Sequence, residues 1–209
     1  MIALIDYGAG NLRSVEKALA KVGADVRIFK NSEGFENAQG IVLPGVGAFD
    51  DCVNALRHQD LFNPLIKLLK DGKPFLGICI GYQVLFERSE EFNSTAPGLS
   101  IFKGNVVRFT QKDAYKIPQI GWNQLEFTKP DCPIFAGIPN KSYFYFVHSY
   151  YPKPDDESIV ASWTDYADRF ASSIWKDNIF AVQFHPEKSQ NVGLKMLKNF
   201  IELCEKQKS

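Results

Sequence analysis

Long apolar runs are missing from this chain. No stretch approaches the roughly 20 residues that span a bilayer, and the opening Met1-Ile2-Ala3-Leu4-Ile5 meets a carboxylate at Asp6 with no basic leader before it. A bias of charge is missing as well. Lys and Arg number 24 against 24 for Asp and Glu, with no basic tail and no run of like charge, so nothing in the composition points to nucleic acid or another polyanion as partner. Cysteine is scarce. Cys52, Cys79, Cys132 and Cys204 lie far apart and form no Cys-x-x-Cys pair, and a chain of this length buries a core without disulfide staples. Those absences imply a reducing compartment, and the expected location is cytoplasmic, away from any membrane. His, Cys and carboxylates nowhere fall at metal-ligand spacing, and no Walker A sequence occurs. Gly8-Ala9-Gly10 stands where a dinucleotide fingerprint would lie, but Arg13 occupies its third glycine position, where a bulky side chain opposes close helix packing. Neither a metal nor a cofactor is expected.

What is present alternates. Residues 2–5 are a compact apolar run, after which Leu12, Val15, Leu19 and Val22 recur at helical spacing with Gly23 as a stop, which reads as strand, loop, helix. Residues 26–29 and 41–43 are expected strands. Pro44-Gly45-Val46-Gly47 then turns the chain into an amphipathic helix that includes Val53, Leu56 and Leu61. Residues 65–69 form another helical stretch closed by Asp71-Gly72, and 75–78 the next strand. Buried strands alternating with helices argue for a parallel sheet with helices on both faces. The middle is richer in β-branched and aromatic residues: 106–109, 122–127, 143–147 and 159–163 read as antiparallel strands added to that sheet. Residues 172–175 and 179–184 give two more strands, and 192–204 a closing amphipathic helix. With no linker, internal repeat or low-complexity segment, the expectation is one α/β domain over residues 1–209, with a mostly parallel central sheet, flanking helices and added antiparallel strands.

The strand at 75–78 runs into Gly77-Ile78-Cys79-Ile80-Gly81-Tyr82-Gln83, a Gly-x-Cys-x-Gly sequence followed by helix-compatible residues through 86. This is the cysteine form of a nucleophile elbow. The sharp strand-to-helix turn strains the middle residue, and glycines two positions either side remove side chains that would collide there. The thiol is expected to stand exposed at a helix N-terminus, where unpaired backbone N–H groups favour thiolate. Cys52 and Cys204 fall in helical stretches and Cys132 in a turn, where a free cysteine acts as a small buried hydrophobe. Among the histidines, His58 ends a polar helical stretch and is expected in solvent. His148 follows an aromatic strand and is either a satisfied structural residue or lines the site through its backbone. His185 ends an apolar strand, is held extended by Pro186, and has Glu187 two positions on, so both side chains project to one side. A carboxylate so placed orients an imidazole and stabilises its protonated form. Cys79, His185 and Glu187 in that order suggest thiol-dependent acyl transfer. Val46 and Gly47 either make only a tight turn or, with the N–H of Ile80, supply donors for an oxyanion.

These motifs resemble the class I, triad-type glutamine amidotransferases and, within them, are most like the glutaminase subunits of imidazole glycerol phosphate synthase. The elbow and His185-Pro186-Glu187-Lys188-Ser189 belong to the wider class. Asp6-Tyr7-Gly8-Ala9-Gly10-Asn11-Leu12, Pro44-Gly45-Val46-Gly47, Pro118-Gln119-Ile120-Gly121-Trp122-Asn123 and Tyr145-Phe146-Val147-His148-Ser149-Tyr150 belong to the narrower group, and together they run from the first strand to the last helix. Ala9, Ile80 and Ser149 depart from its usual Met, Leu and Thr. The resemblance implies Cys79 as nucleophile, His185 as general acid and base, and Glu187 as its orienting partner. It further implies Gly47, Gln83, Ser149 and Tyr150 around a bound glutamine, the Val46-Gly47 peptide as part of the oxyanion site, and Trp122, Tyr145 and Lys188 facing a separate cyclase subunit of (β/α)8 form in a heterodimer. The motifs report glutamine chemistry and leave the ammonia acceptor open. A paralogous glutaminase subunit serving another synthase, such as one amidating a surface-polysaccharide sugar, shares them. A γ-glutamyl peptidase and a non-catalytic binding module are the remaining alternatives.

Overall fold

The computed structural model describes residues 1–8 and 11–206. Ala9 and Gly10, the later part of the glycine-containing turn, lie outside the described residues. The chain opens with β1 (Ile2–Ile5), α1 (Leu12–Lys21), β2 (Val26–Phe29), β3 (Gly40–Leu43), α2 (Phe49–His58), α3 (Phe62–Lys70), β4 (Phe75–Ile78) and the one-turn α4 (Ile80–Gln83). It continues through β5 (Arg88–Ser89), β6 (Gly104–Arg108), β7 (Gln119–Gln124), β8 (Glu126–Phe127), β9 (Tyr143–His148), β10 (Tyr150–Pro154), β11 (Val160–Asp165), β12 (Arg169–Lys176) and β13 (Ile179–Val182), and closes with α5 (Gln190–Lys206).

The main sheet has eight strands in the order β2-β1-β3-β4-β13-β12-β11-β8. Pairing is parallel from β2 to β13 and antiparallel from β13 outward through β12 and β11 to β8. Successive side chains of a strand point to opposite faces, and the parallel strands are apolar on both, so two cores form. Ala3, Ile5, Ile41, Leu43 and Phe75 pack with α2 and α3, while Ile2, Leu4, Val42, Leu76 and Ile78 pack with Val15 and Leu19 of α1 and with Met196, Leu197 and Phe200 of α5. A helix layer on each side is the way a parallel sheet of this kind buries both faces.

Not every expected antiparallel strand joins this sheet. β6 pairs with β10 and β5 in a three-stranded sheet of its own, and β7 pairs with β9 as a separate ribbon. β10 escapes a reading based on strand propensity because it carries Pro152 and Pro154. Two prolines are tolerated there because β10 pairs on one edge only, with β6. Leu61 also falls outside α2: Asp60 turns left-handed at φ 54° and ends that helix, leaving Leu61 to cap α3. No helix among the described residues is long and apolar enough to cross a membrane.

The strand order reverses direction between β1 and β3, and in open α/β sheets the carboxyl ends of strands beside such a point form a crevice. Here β3 ends at Gly45-Val46-Gly47, β4 at Cys79, and β13 leads to His185. The three motifs singled out in the sequence thus emerge at one end of adjacent strands.

Candidate active site

Cys79 follows β4 at φ 55°, ψ −106°, a backbone region costly for a residue with a Cβ. Packing imposes it. A Cβ on Gly77 would come within 2.5 Å of the Gly81 carbonyl oxygen, and a Cβ on Gly81 within 1.9 Å of the Leu43 carbonyl oxygen, so only glycines let the turn close this tightly against β3. The Cys79 N–H donates to the Val182 carbonyl at 2.8 Å, and its own carbonyl accepts from the N–H groups of Tyr82 and Gln83. Two expectations change here. The helix after the elbow is a single turn that ends at Gln83, so its dipole is small. The cysteine is also 4 % exposed, reached through a cavity instead of standing in bulk solvent.

His185 approaches from the neighbouring strand end. Its N–H donates to the Tyr145 carbonyl at 2.9 Å, and its φ −106°, ψ 94° is extended, as Pro186 requires. Nδ1 lies 2.9 Å from Glu187 Oε1, with the two side chains 2 % and 1 % exposed. Burial alone would push this imidazole down. The Cys79 sulfur on one side and the Glu187 carboxylate on the other outweigh it and raise the pKa to about 10. Among the described residues Nε2 has no hydrogen-bond partner, and it is the ring atom left for the thiol, since Nδ1 is held by the carboxylate.

The cavity beside Cys79 has a volume of about 620 Å³, and Val46, Gly47, Ile80, Gln83, Ser149, Tyr150 and Lys188 form part of its wall. Each of these was singled out in the sequence. Gly47 has φ 107° with open space around its Cβ direction, so backbone conformation, not crowding, selects glycine there. Gln83 is buried and donates Nε2–H to the Tyr150 carbonyl at 3.0 Å. Trp122 and Tyr145 are not in the wall. They are cross-strand partners in the β7–β9 ribbon, packed edge to face at 5.9 Å, and Lys188 Nζ lies 5.9 Å from the Tyr145 ring centre. This ribbon also exposes Ile120 (63 %) and Tyr143 (54 %), an apolar strip continuous with the cavity rim at Lys188.

His148 proves to be a satisfied structural residue that also borders the cavity. Nδ1 lies 2.9 Å from the Tyr150 carbonyl and Nε2 3.1 Å from the Gln119 side chain, while burial holds its pKa down to about 3. It therefore stays neutral. His58 is in solvent and the other three cysteines are buried, as their positions in the sequence suggested.

Three site residues were not apparent from motif spacing. Glu91 and Phe92 border the cavity from a loop after β5 that reads as an ordinary polar turn. Glu91 Oε2 accepts the Phe49 N–H at 2.8 Å, and burial raises its carboxyl above the ordinary value. Gln183 immediately precedes Phe184-His185 and is fully buried; a polar side chain two residues before a candidate base in an extended segment was the available signal.

Comparison with known proteins places the chain in a family. The profile of the glutamine amidotransferase class-I family matches residues 3–203. The chain is 51 % identical to imidazole glycerol phosphate synthase subunit HisH of Methanocaldococcus jannaschii, over 97 % of this chain and 100 % of that one. It is 48 % identical to the same-named subunit of Syntrophotalea carbinolica, over 96 % and 98 %. A crystal structure of a glutamine amidotransferase superposes with a TM-score of 0.76 at 17 % identity, covering 98 % of this chain and all of that one, which speaks to the fold. On the family profile and on identity near one half across almost the whole length, the chain belongs to the class I glutamine amidotransferases and, among them, to the HisH subunits of imidazole glycerol phosphate synthase.

Proposed function

We propose that residues 1–209 form one glutaminase domain that hydrolyses glutamine to glutamate and ammonia in the cytoplasm. The ammonia passes to a separate (β/α)8 cyclase subunit, which makes imidazole glycerol phosphate and aminoimidazole carboxamide ribotide in histidine biosynthesis. The observation that carries the reading is Cys79 in the cavity wall with the buried His185–Glu187 pair beside it, the sulfur and the carboxylate both raising the His185 pKa. An imidazole whose pKa is raised well above its ordinary value, beside a thiol, is the group placed to exchange a proton with it.

The Cys79 sulfur attacks the side-chain amide carbon of glutamine, and charge builds on the amide oxygen. N–H groups of Ile80 and of the Val46-Gly47 peptide are the donors available to it. His185 gives its Nε2 proton to the departing nitrogen, the C–N bond breaks, and ammonia leaves a γ-glutamyl thioester on sulfur. His185, now neutral, takes a proton from water as that water attacks the thioester, and glutamate departs with the thiolate restored. Glu187 keeps the ring oriented throughout. Gln83, Ser149 and Tyr150 fit the glutamine backbone end, and the desolvated Glu91 carboxylate offers a counter-charge for its ammonium group.

Gly47, at φ 107° in open space, gives the Val46-Gly47 peptide freedom to reorient, a means by which the partner could govern turnover. The exposed strip with Ile120 and Trp122, the half-buried Tyr145 packed against it and Lys188 at its border, is the surface proposed for that partner; apolar and aromatic side chains in this combination are typical of interface cores. Co-purification with the cyclase, followed by glutamate release with and without the cyclase ligand, tests the proposal. Turnover that is stimulated by the loaded partner and abolished by Cys79→Ala is the expected result. Equal turnover with and without the loaded partner contradicts the coupling, and full activity of Cys79→Ala contradicts the chemistry.

A further inference from the structure

We infer that Gln183 is a fourth polar member of the catalytic centre, an amide that donates a hydrogen bond to the Cys79 sulfur and stabilises its thiolate form. Its Nε2 lies 3.6 Å from Cys79 Sγ, within reach of a donor to sulfur, and the side chain is fully buried. Backbone register puts it there. The N–H of Cys79 pairs with the Val182 carbonyl and the N–H of Gln183 with the Ser172 carbonyl, so the residue after β13 begins an extended segment directly beside the elbow. Residues 183 and 185 then project to one side, and the nucleophile meets an amide from one and an imidazole from the other.

The direction of the amide is set by a chain of partners anchored on backbone. The Tyr150 carbonyl can only accept, and it takes a hydrogen from Gln83 Nε2 at 3.0 Å. The same Nε2 donates to Gln183 Oε1 at 3.2 Å. With its oxygen committed to Gln83, Gln183 turns its NH2 group to the sulfur. Reversing Gln183 would set two NH2 groups against each other and present a carbonyl oxygen to a thiolate, so the register holds in one sense only. A buried glutamine serving packing alone needs its two ends satisfied by any partners. This one spends its donor on the reacting atom, and the chain continues to Gln83 and Tyr150 in the cavity wall. The wall that receives substrate and the nucleophile that attacks it therefore share one hydrogen-bonded row.

This inference rests on the glutaminase reading, so its test uses an electrophile that needs no glutamine site. Alkylation of Cys79 by iodoacetamide, located by peptide mass spectrometry, is followed against pH in wild type, Gln183→Met and Gln183→Glu, with melting curves confirming that each variant is folded. Gln183→Met keeps the length and removes the donor. Near neutral pH it should react about tenfold more slowly, the usual worth of a hydrogen bond to a charged group, and its rate should converge with wild type in strongly alkaline buffer, where the thiol is ionised in both. Gln183→Glu, of the same shape, places a carboxylate on the sulfur and should be slower still near neutral pH. Met-variant rates equal to wild type at every pH, or reduced by one constant factor throughout, overturn the inference. Should Gln183→Met fail to fold, Gln183→Glu decides alone: alkylation as fast as wild type near neutral pH overturns it. A wild-type chain that shows the alkylation pattern yet hydrolyses no glutamine with its partner would remove the proposed function and leave this inference standing.

Discussion

Gly81→Ala is the substitution for which the structure makes the sharpest demand. The added methyl would lie 1.9 Å from the Leu43 carbonyl oxygen and 2.9 Å from its carbon, whereas a carbon and a carbonyl oxygen settle at about 3.3 Å or more. Neither neighbour is a flexible side chain that could swing away. Leu43 is the last residue of β3, paired in register with Gly77 of β4, and Gly81 lies within α4. Relief therefore means lifting the elbow from β3 by more than about 1 Å, beyond the roughly 0.5 Å within which a catalytic constellation tolerates displacement. Overpacking of this kind costs about 1 to 3 kcal/mol, and each kcal/mol lowers Tm by about 2 to 4 °C in a chain of this size. The protein should remain folded at room temperature with a melting point lower by several degrees. Glutamate release with the ligand-loaded partner should fall about a hundredfold, because misplacement on the scale of an ångström weakens positioning by that order. Melting curves followed by circular dichroism and a coupled glutamate assay read the two quantities separately. A Gly81→Ala protein within twofold of wild-type turnover and with an unchanged melting point would refute the packing argument for the elbow.

Glu187→Gln removes the carboxylate that helps hold His185 protonated, and turnover should drop at least about a hundredfold, as when the carboxylate of a comparable triad is neutralised. Because the folded pKa of His185 lies above the ordinary 6.5, protonation stabilises the fold. That contribution is complete below about pH 6.5 and is lost as pH rises through about 10. Stability measured by urea titration between those limits should decline in wild type and decline less in Glu187→Gln; parallel curves would contradict the linkage. Gly47→Ala meets no atom of the described residues within 4 Å but must hold φ 107°. It should therefore cost about 1 to 3 kcal/mol of strain and lower kcat more than it raises KM, an outcome that an unchanged kcat would exclude. Trp122→Ala, at a half-exposed position on the β7–β9 ribbon, should leave melting within about 0.5 kcal/mol and weaken binding of the cyclase about tenfold or more. Unaltered affinity by calorimetry would move the docking surface elsewhere.

How far the site could be read from residues alone follows from how local each constraint is. Gly77 and Gly81 are legible because two glycines flanking a cysteine after an apolar strand have few other reasons to be there, and both would clash if substituted. His185 and Glu187 are legible because Pro186 fixes the backbone between them. Gln83, Ser149 and Tyr150 came through resemblance, not through any pattern of their own. Glu91 was invisible for a physical reason: its role depends on α2, whose Phe49 N–H it caps from 42 residues away, and no local period records such a contact. The same holds for β10, whose prolines argue against a strand until its free edge is seen, and for α4, where helix-forming residues continue past Gln83 but the chain turns away to pair β5 with β6.

The distribution of unpaired polar atoms ties these local facts together. Among the described residues, four buried side-chain atoms have no hydrogen-bond partner: Tyr7 Oη, Gln83 Oε1, His185 Nε2 and Glu187 Oε2. Three belong to residues assigned to the chemistry or the substrate. The fourth, Tyr7, packs where a Cβ on Gly45 would touch its hydroxyl and Ile80 at once, beside the proposed oxyanion donors. Each such atom costs about 1 to 3 kcal/mol, and a packed core elsewhere in the chain avoids the cost, as the paired hydroxyls of Ser162, Ser172 and Ser173 illustrate. Concentrating the deficit around one cysteine is the reverse of what selection for stability alone would produce. The two apolar cores on either face of the sheet offset that deficit, and what they support is a set of donors and acceptors held in place and left free for a substrate.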